Sequence, residues 1–225
     1  MSILLARRLA STAARAAAAG AVPAKLALAP ALGTSAAAFG IANALGLGIS
    51  LATDSHLHLD LIGTGVFGIA ALLLRGTDLR QQLSAGAIAL WSTKLAAFLF
   101  YRACAGSGRD ARLEDTLSTT TGAIGFWTIS CLWGVFVSLP HTLAAGVATG
   151  IRPPSAPLLA GLGLLTFGAG LVLETAADMQ KYKFKMDPAN RGKFCDAGVW
   201  SLSQHPNYAG NLLIWTGITL LNAPV

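Results

Sequence analysis

The residues best suited to chemistry lie near the C-terminal end of the chain, in two groups. The first runs Glu174-Thr-Ala-Ala-Asp178-Met-Gln-Lys181-Tyr182-Lys183-Phe-Lys185. Spacings of three and four put Glu174, Asp178, Lys181, Tyr182 and Lys185 along one helical face. Carboxylates there can accept hydrogen bonds from a ribose or an amide. Lysines beyond them can attract phosphate as mobile point charges. The same pattern also describes a stripe of Glu/Asp–Lys pairs on a solvated helix end. The second group is Gly198-Val-Trp-Ser-Leu-Ser-Gln204-His205-Pro206-Asn207-Tyr208-Ala-Gly210-Asn211. His205 can give or take a proton, Tyr208 can donate one, and Asn207 can do both in hydrogen bonds. Pro206 marks a helix start, so a polar cap is the plainer use of these side chains. A short loop separates the two groups, which allows both to face one pocket.

The elements that hold these groups must be membrane helices. The chain has 225 residues, 54% hydrophobic and only 12% charged, with a mean hydropathy of +0.60. Soluble domains carry about 25% charged residues. Uncharged runs near the ~20 residues needed to cross a bilayer recur, most clearly Leu117–Leu139, which has no Asp, Glu, Lys, Arg or His. The expectation is an all-α, multi-spanning transmembrane bundle of about five to six helices. Candidate helices fall at about 36–52, 57–74, 83–102, 117–139, 156–174 and 208–222. Arg152-Pro153-Pro154 breaks the chain before the fifth, and Asp187-Pro188-Ala-Asn190 signals a loop after it. His58, Asp60, Lys94, Glu174 and Asp178 sit in or beside apolar runs, where a charge needs a partner, a cavity or the interface.

Charge distribution sets further bounds. Residues 1–53 carry Arg7, Arg8, Arg15 and Lys25 and no acid. Residues 54–225 are nearly balanced, with 12 basic and 10 acidic side chains, so no basic face for nucleic acid emerges. The Ala-, Ser- and Arg-rich start predicts an organelle transit peptide or disordered tail over 1–35, ahead of a membrane domain over 36–225. A mitochondrial or plastid membrane follows from the transit reading, and the endoplasmic reticulum from the tail reading. Basic residues favour the 103–116 and 175–207 loops facing the cytosol, matrix or stroma, where soluble cofactors are available. Cys104, Cys131 and Cys195 are scattered and make neither a disulfide framework nor a metal site.

Glu174-x-x-x-Asp178-x-Gln-Lys181 … Phe184-Lys185 … Pro188 … Gly198-x-Trp200-x-x-Ser203-x-His205-Pro206-Asn207-Tyr208-x-Gly210 resembles the steroid 5-alpha-reductase C-terminal-domain family, in particular its multi-pass steroid-reductase-like branch. Upstream, Leu90-Trp91-x-x-Lys94-Leu95 … Tyr101-Arg102 … Gly108-Arg109-Asp110-x-Arg112 and the His-Leu-Asp60 segment are similar to that branch. The resemblance implies a lipid-open cavity and an NADPH-dependent reductase acting on a C=C bond of an unsaturated lipid or steroid-like molecule. It implies cofactor contacts from Glu174, Asp178, Lys185, His205, Asn207 and Tyr208, with Tyr208 and His205 as catalytic candidates. Three departures stand out. Gln204 replaces the family's Arg, Asn211 replaces an acid placed toward the substrate's polar end, and the family's further C-terminal nucleotide residues have no counterpart before Val225. These departures suggest a C-terminally incomplete chain, or a catalytically degenerate structural subunit of an organelle membrane complex. Membrane methyltransferases that use S-adenosylmethionine share a His-Pro-x-Tyr core and supply a third reading.

Overall fold

In the computed structural model, the described residues are 28–105, 111–146 and 157–223, with no side-chain description at 111 and 112. The tail through residue 27 and the Arg152-Pro153-Pro154 break lie outside them, as do Gly108, Arg109 and Asp110 and the side chain of Arg112. All regular structure described is helical. The helices are α1 (Leu28–Thr53), α2 (Leu59–Leu73), α3 (Leu79–Cys104), α4 (Ala111–Leu117), α5 (Thr120–Val137), α6 (Leu139–Gly146), α7 (Pro157–Met186) and α8 (Pro206–Asn222). Two 3-10 turns, Pro188–Asn190 and Gly198–Ser201, bridge α7 to α8.

Among the described residues, α1, α3, α5 and α7 are long and apolar enough to cross a bilayer, and α2 is a shorter apolar helix. Their outer faces bear the signature of lipid contact. Ile41, Ile129, Leu165 and Val172 are each at least 60% exposed, which in water would be a liability. The expected multi-pass helical bundle is therefore what the chain forms.

Boundaries differ from the sequence expectation at three places. Helix α1 starts at Leu28, eight residues earlier than hydropathy suggests, because its alanine-rich first turns have helix propensity without strong apolarity. Helix α7 continues past Glu174 to Met186, carrying the polar stripe as helix rather than ending at the apolar limit. The apolar run through Leu139 divides at Ser138, and Pro140 sits in the first turn of the short α6, where proline loses no helical hydrogen bond.

Short connections make successive helices antiparallel. The loops after α1, α3 and α7 therefore gather at one end of the bundle, here called the basic end, with Lys181, Lys183, Lys185, Arg191 and Lys193. The loops after α2 and α5 and the end of α8 gather at the other.

Helices α7 and α8 pack most intimately, through glycines seven residues apart: Gly163 and Gly170 on α7, Gly210 and Gly217 on α8. A Cβ on Gly210 would stand 2.5 Å from the Glu174 backbone nitrogen, and one on Gly217 would stand 2.5 Å from that of Phe167. Small residues are how membrane helices approach so closely, since van der Waals contact must do the work that water does elsewhere. Helix α1 meets α5 the same way, with Trp127 filling the space over Gly46 and Phe39 that over Gly134. The central core joins Phe39, Phe67, Trp91, Phe167, Ile214 and Ile218, with Phe67 and Trp91 edge to face at 5.5 Å.

The end opposite the basic loops is closed by a buried relay. Asn222 Nδ2 donates to Ser84 Oγ at 2.7 Å, Ser84 Oγ lies 2.9 Å from His141 Nδ1, and His141 Nε2 lies 3.0 Å from the Ala71 carbonyl. This pattern fits the neutral Nε2–H tautomer and ties α8, α3, α6 and α2 together.

Gly210→Ala must push α7 and α8 apart or twist them, because the atoms it meets are backbone. The expected loss is about 1–3 kcal/mol of stability, read as a lowered melting temperature of the detergent-solubilised protein. Gly161→Ala, which has open space at its Cβ, serves as the control and does not lower the melting temperature.

Candidate functional site

Glu174 is almost fully buried, at 3% exposure, and every donor it needs is supplied by another helix. Trp91 Nε1 donates at 3.2 Å to Oε1 and 3.1 Å to Oε2. Lys94 Nζ forms an ion pair with Oε2 at 2.9 Å. Asn211 Nδ2 donates to Oε1 at 3.0 Å. The close approach at Gly210 is what brings Asn211, the next residue, within reach. A carboxylate in an apolar bundle needs this many partners, because an unpaired buried charge costs several kcal/mol.

Asp178, one turn on, stands 3.9 Å from the same Lys94 Nζ. Its Oδ2 is buried and accepts no hydrogen bond among the described residues. One acceptor is thus left over beside a cluster that is otherwise satisfied.

The segment 198–211 wraps the face of α7 that carries both acids. Gly198 adopts a left-handed φ of +60° and lies tight against the Gln180 amide, which leaves no room for a side chain there. Val199 N donates to Gln180 Oε1 at 2.9 Å, and Trp200 Nε1 donates to the Ala177 carbonyl at 2.8 Å. Lys181 Nζ sits 4.5 Å from the Trp200 ring centre, a cation–π contact. The two sequence groups therefore form one unit, joined at Glu174, Ala177, Gln180 and Lys181.

Within that unit the singled-out side chains take different stations. His205 and Tyr208 stack on one another at 5.3 Å and are exposed, Tyr208 at 65%. Asn207 is half-buried in the first turn of α8. Lys185 Nζ donates to the Lys193 carbonyl at 2.6 Å and closes the loop after α7. His58, an interfacial or functional candidate by sequence, stacks on Trp127 and lies 2.8 Å from the Gly46 carbonyl, a structural tie between α1, α2 and α5.

A cavity of about 620 Å³ opens beside this unit. Its walls are Leu59, Asp60, Gly63, Thr64 and Phe67 of α2, Trp91 and Leu95 of α3, and Phe126, Ser130, Trp133, Phe136 and Val137 of α5. Leu139 and Pro140 of α6 and Asn211, Leu212, Trp215 and Thr219 of α8 complete it. Trp91 and Asn211 each face the cavity while bonding Glu174, so they form the partition between chamber and carboxylate. His205, Asn207 and Tyr208 do not line it. Sequence reasoning singled out Asp60, Trp91 and Asn211 but missed Thr64 and Ser130, hydroxyls on apolar helices that give no pattern of their own.

The profile of a family described as a protein of unknown function, DUF1295, matches residues 47–225. The chain belongs to the DUF1295 family. DUF1295 proteins are steroid 5-alpha-reductase-like membrane proteins, the broad group that the two motifs resemble. The chain is also 35% identical over 79 residues to "Probable O-methyltransferase ustE" of Ustilaginoidea virens, an alignment covering 35% of this chain and 28% of that protein. It thus spans little more than a quarter of this curated relative, and no solved structure shows a significant match to it.

The Glu174 cluster in this DUF1295 chain predicts a specific pattern of damage. Lys94→Met leaves a buried carboxylate short of its cation and costs roughly 3–5 kcal/mol. Adding Glu174→Gln restores part of the loss, because the nearer of the two carboxylates that face Lys94 is then neutral. A double-mutant cycle on thermal melting checks this; strictly additive losses would mean that the two side chains do not interact.

Proposed function

We propose that this protein is a membrane enzyme that reduces a C=C bond of a hydrophobic molecule with NADPH, the molecule held in the cavity and the cofactor on the Asp178 side of the Trp91–Asn211 partition. The observation that carries this reading is the buried Asp178 Oδ2, which accepts no hydrogen bond among the described residues and has only a 3.9 Å ion pair with Lys94, beside the closer Glu174–Lys94 pair. A nucleotide's ribose hydroxyl or amide N–H is a fitting donor for it. Lys181, Lys183 and Lys185 at the same end add positive charge suited to phosphates. NADPH would supply the hydride; the chain's task is to bind, orient and exclude water. Glu174 acts through Trp91 and Asn211 by holding the partition in place.

The departures at Gln204 and Asn211 weigh on the phosphate and substrate contacts respectively. In this chain Asn211 donates to Glu174, which an ionised acid at this position could not do. A second reading, methyl transfer from S-adenosylmethionine, is favoured by the relative from Ustilaginoidea virens. It uses the same chamber for the acceptor and a different nucleotide-like cofactor.

Equilibrium dialysis of the protein in lipid nanodiscs, against NADPH and separately against S-adenosylmethionine, tests both. The expected result is retention of NADPH, weakened about tenfold, or ~1.4 kcal/mol, by Asp178→Ala. Retention of S-adenosylmethionine alone replaces the reductase reading with the methyltransferase one. A folded sample that retains neither overturns both and favours a structural subunit.

A further inference from the structure

We infer that the loop joining α7 to α8 is a seat for an anionic phospholipid, with Phe194 and Leu202 entering the boundary between headgroups and acyl chains and Lys183, Arg191 and Lys193 holding the lipid phosphate. The inference is independent of the reaction run in the chamber.

The place is set by helix packing. Gly210 of α8 touches Glu174 of α7, and α8 begins only one turn earlier, at Pro206. Helix α7 runs on past Glu174 to Met186, about 18 Å. Its last two turns therefore extend beyond the start of α8, at the basic end. The loop folds back along them. Trp200 bonds Ala177, Val199 bonds Gln180, and Asn190 Nδ2 donates to the Phe184 carbonyl at 3.2 Å.

The extension does not turn polar on its outer face. Leu165, Val172, Met179 and Met186 recur every seven residues, which keeps them on one side of the helix. They are 72%, 70%, 40% and 53% exposed. The first two belong to the lipid-facing surface, and the methionines carry it to the helix end. The loop adds Phe194 and Leu202, 79% and 86% exposed. All three tyrosines of the chain, Tyr101, Tyr182 and Tyr208, stand at this end as well. Aromatic rings gather at headgroup level in membrane bundles, where one side is apolar and the other wet. In water the same surface would be a liability.

Charge selects the lipid. Residues 179–205 carry Lys181, Lys183, Lys185, Arg191 and Lys193 against Asp187 and Asp196. Lys181 is committed to the Trp200 ring and Lys185 to the Lys193 carbonyl. Lys183, Arg191 and Lys193 are exposed, and their cationic groups have no partner among the described residues. Lys183 stands four residues from Met179 and three from Met186, so it shares their face. Its stem can lie on apolar surface with the ammonium at phosphate depth. Basic residues clustered directly after a membrane helix attract anionic lipid. The excess is local, since residues 105–119 carry Arg109 and Arg112 against Asp110, Glu114 and Asp115. A soluble phosphate compound would satisfy the cations and leave Phe194 and Leu202 uncovered. A phospholipid answers both.

Native mass spectrometry of the detergent-solubilised full chain, with no nucleotide present, tests this. The protein is titrated with dioleoyl phosphatidylglycerol and with dioleoyl phosphatidylcholine, which share their acyl chains and differ in net charge. Phosphatidylglycerol is expected to bind about tenfold more tightly. Lys183→Gln, Arg191→Gln and Lys193→Gln together should bring it down to the phosphatidylcholine level and leave phosphatidylcholine unchanged. Those side chains hold nothing in the described fold, so the variant reads contact rather than stability. Phe194→Ser with Leu202→Ser should weaken both lipids. Excess inorganic pyrophosphate should not displace phosphatidylglycerol. Equal binding of the two lipids overturns the inference, as does undiminished phosphatidylglycerol binding by the triple variant. Displacement by pyrophosphate replaces the lipid with a soluble phosphate ligand.

Discussion

A single buried carboxylate organises this bundle. Glu174 lies among apolar helices where an unpaired charge is not tolerated, so its neighbours must bring donors to it. Trp91 and Lys94 do so from α3, one helical turn apart, and Asn211 does so from α8. Three helices are thereby set in one register at one depth. The glycine packing of α7 on α8 is the other half of the same constraint. Without the close approach at Gly210, Asn211 would not reach, and Glu174 would keep a lone pair unsatisfied in a medium that offers no water.

The consequence reaches the cavity. Trp91 and Asn211 are pinned on one side by Glu174, so their other sides form a wall of fixed chemistry. Trp91 contributes an aromatic face, edge to face with Trp215 at 5.3 Å. Asn211 contributes a carbonyl oxygen. The chamber's character is therefore decided by a group that does not line it. Asn211 is also the residue that completes the carboxylate's shell. A carboxylate in its place would meet Glu174 as a like charge in low dielectric, and one of the two would have to be neutral.

Much of this was legible in the sequence. Low charge and long uncharged runs required a membrane bundle, and Asp187-Pro188 placed the break after α7. The spacing of Glu174, Asp178 and Lys181 put them on one helical face, and α7 carries them there. Other features were hidden for identifiable reasons. The His141–Ser84–Asn222 relay joins residues 57 and 138 positions apart, and no local pattern announces such pairs. The start of α1 was obscured because alanine-rich helix is weakly apolar. His58 read as interfacial because its stacking partner, Trp127, belongs to a helix far along the chain.

The sequence by itself determined the class of the protein, its apolar surfaces and the residues able to carry chemistry, because hydropathy and helical spacing are local properties. Only the tertiary structure decided what those residues do. It turned Glu174 inward as a satisfied anchor, left Asp178 Oδ2 without a hydrogen-bond donor among the described residues, and set His205 and Tyr208 against each other on the surface. It also made a chamber from five helices. The physical reason is that hydrogen-bond satisfaction and cavity shape depend on distances between helices. Those distances follow from glycine contacts and buried charge acting across the bundle.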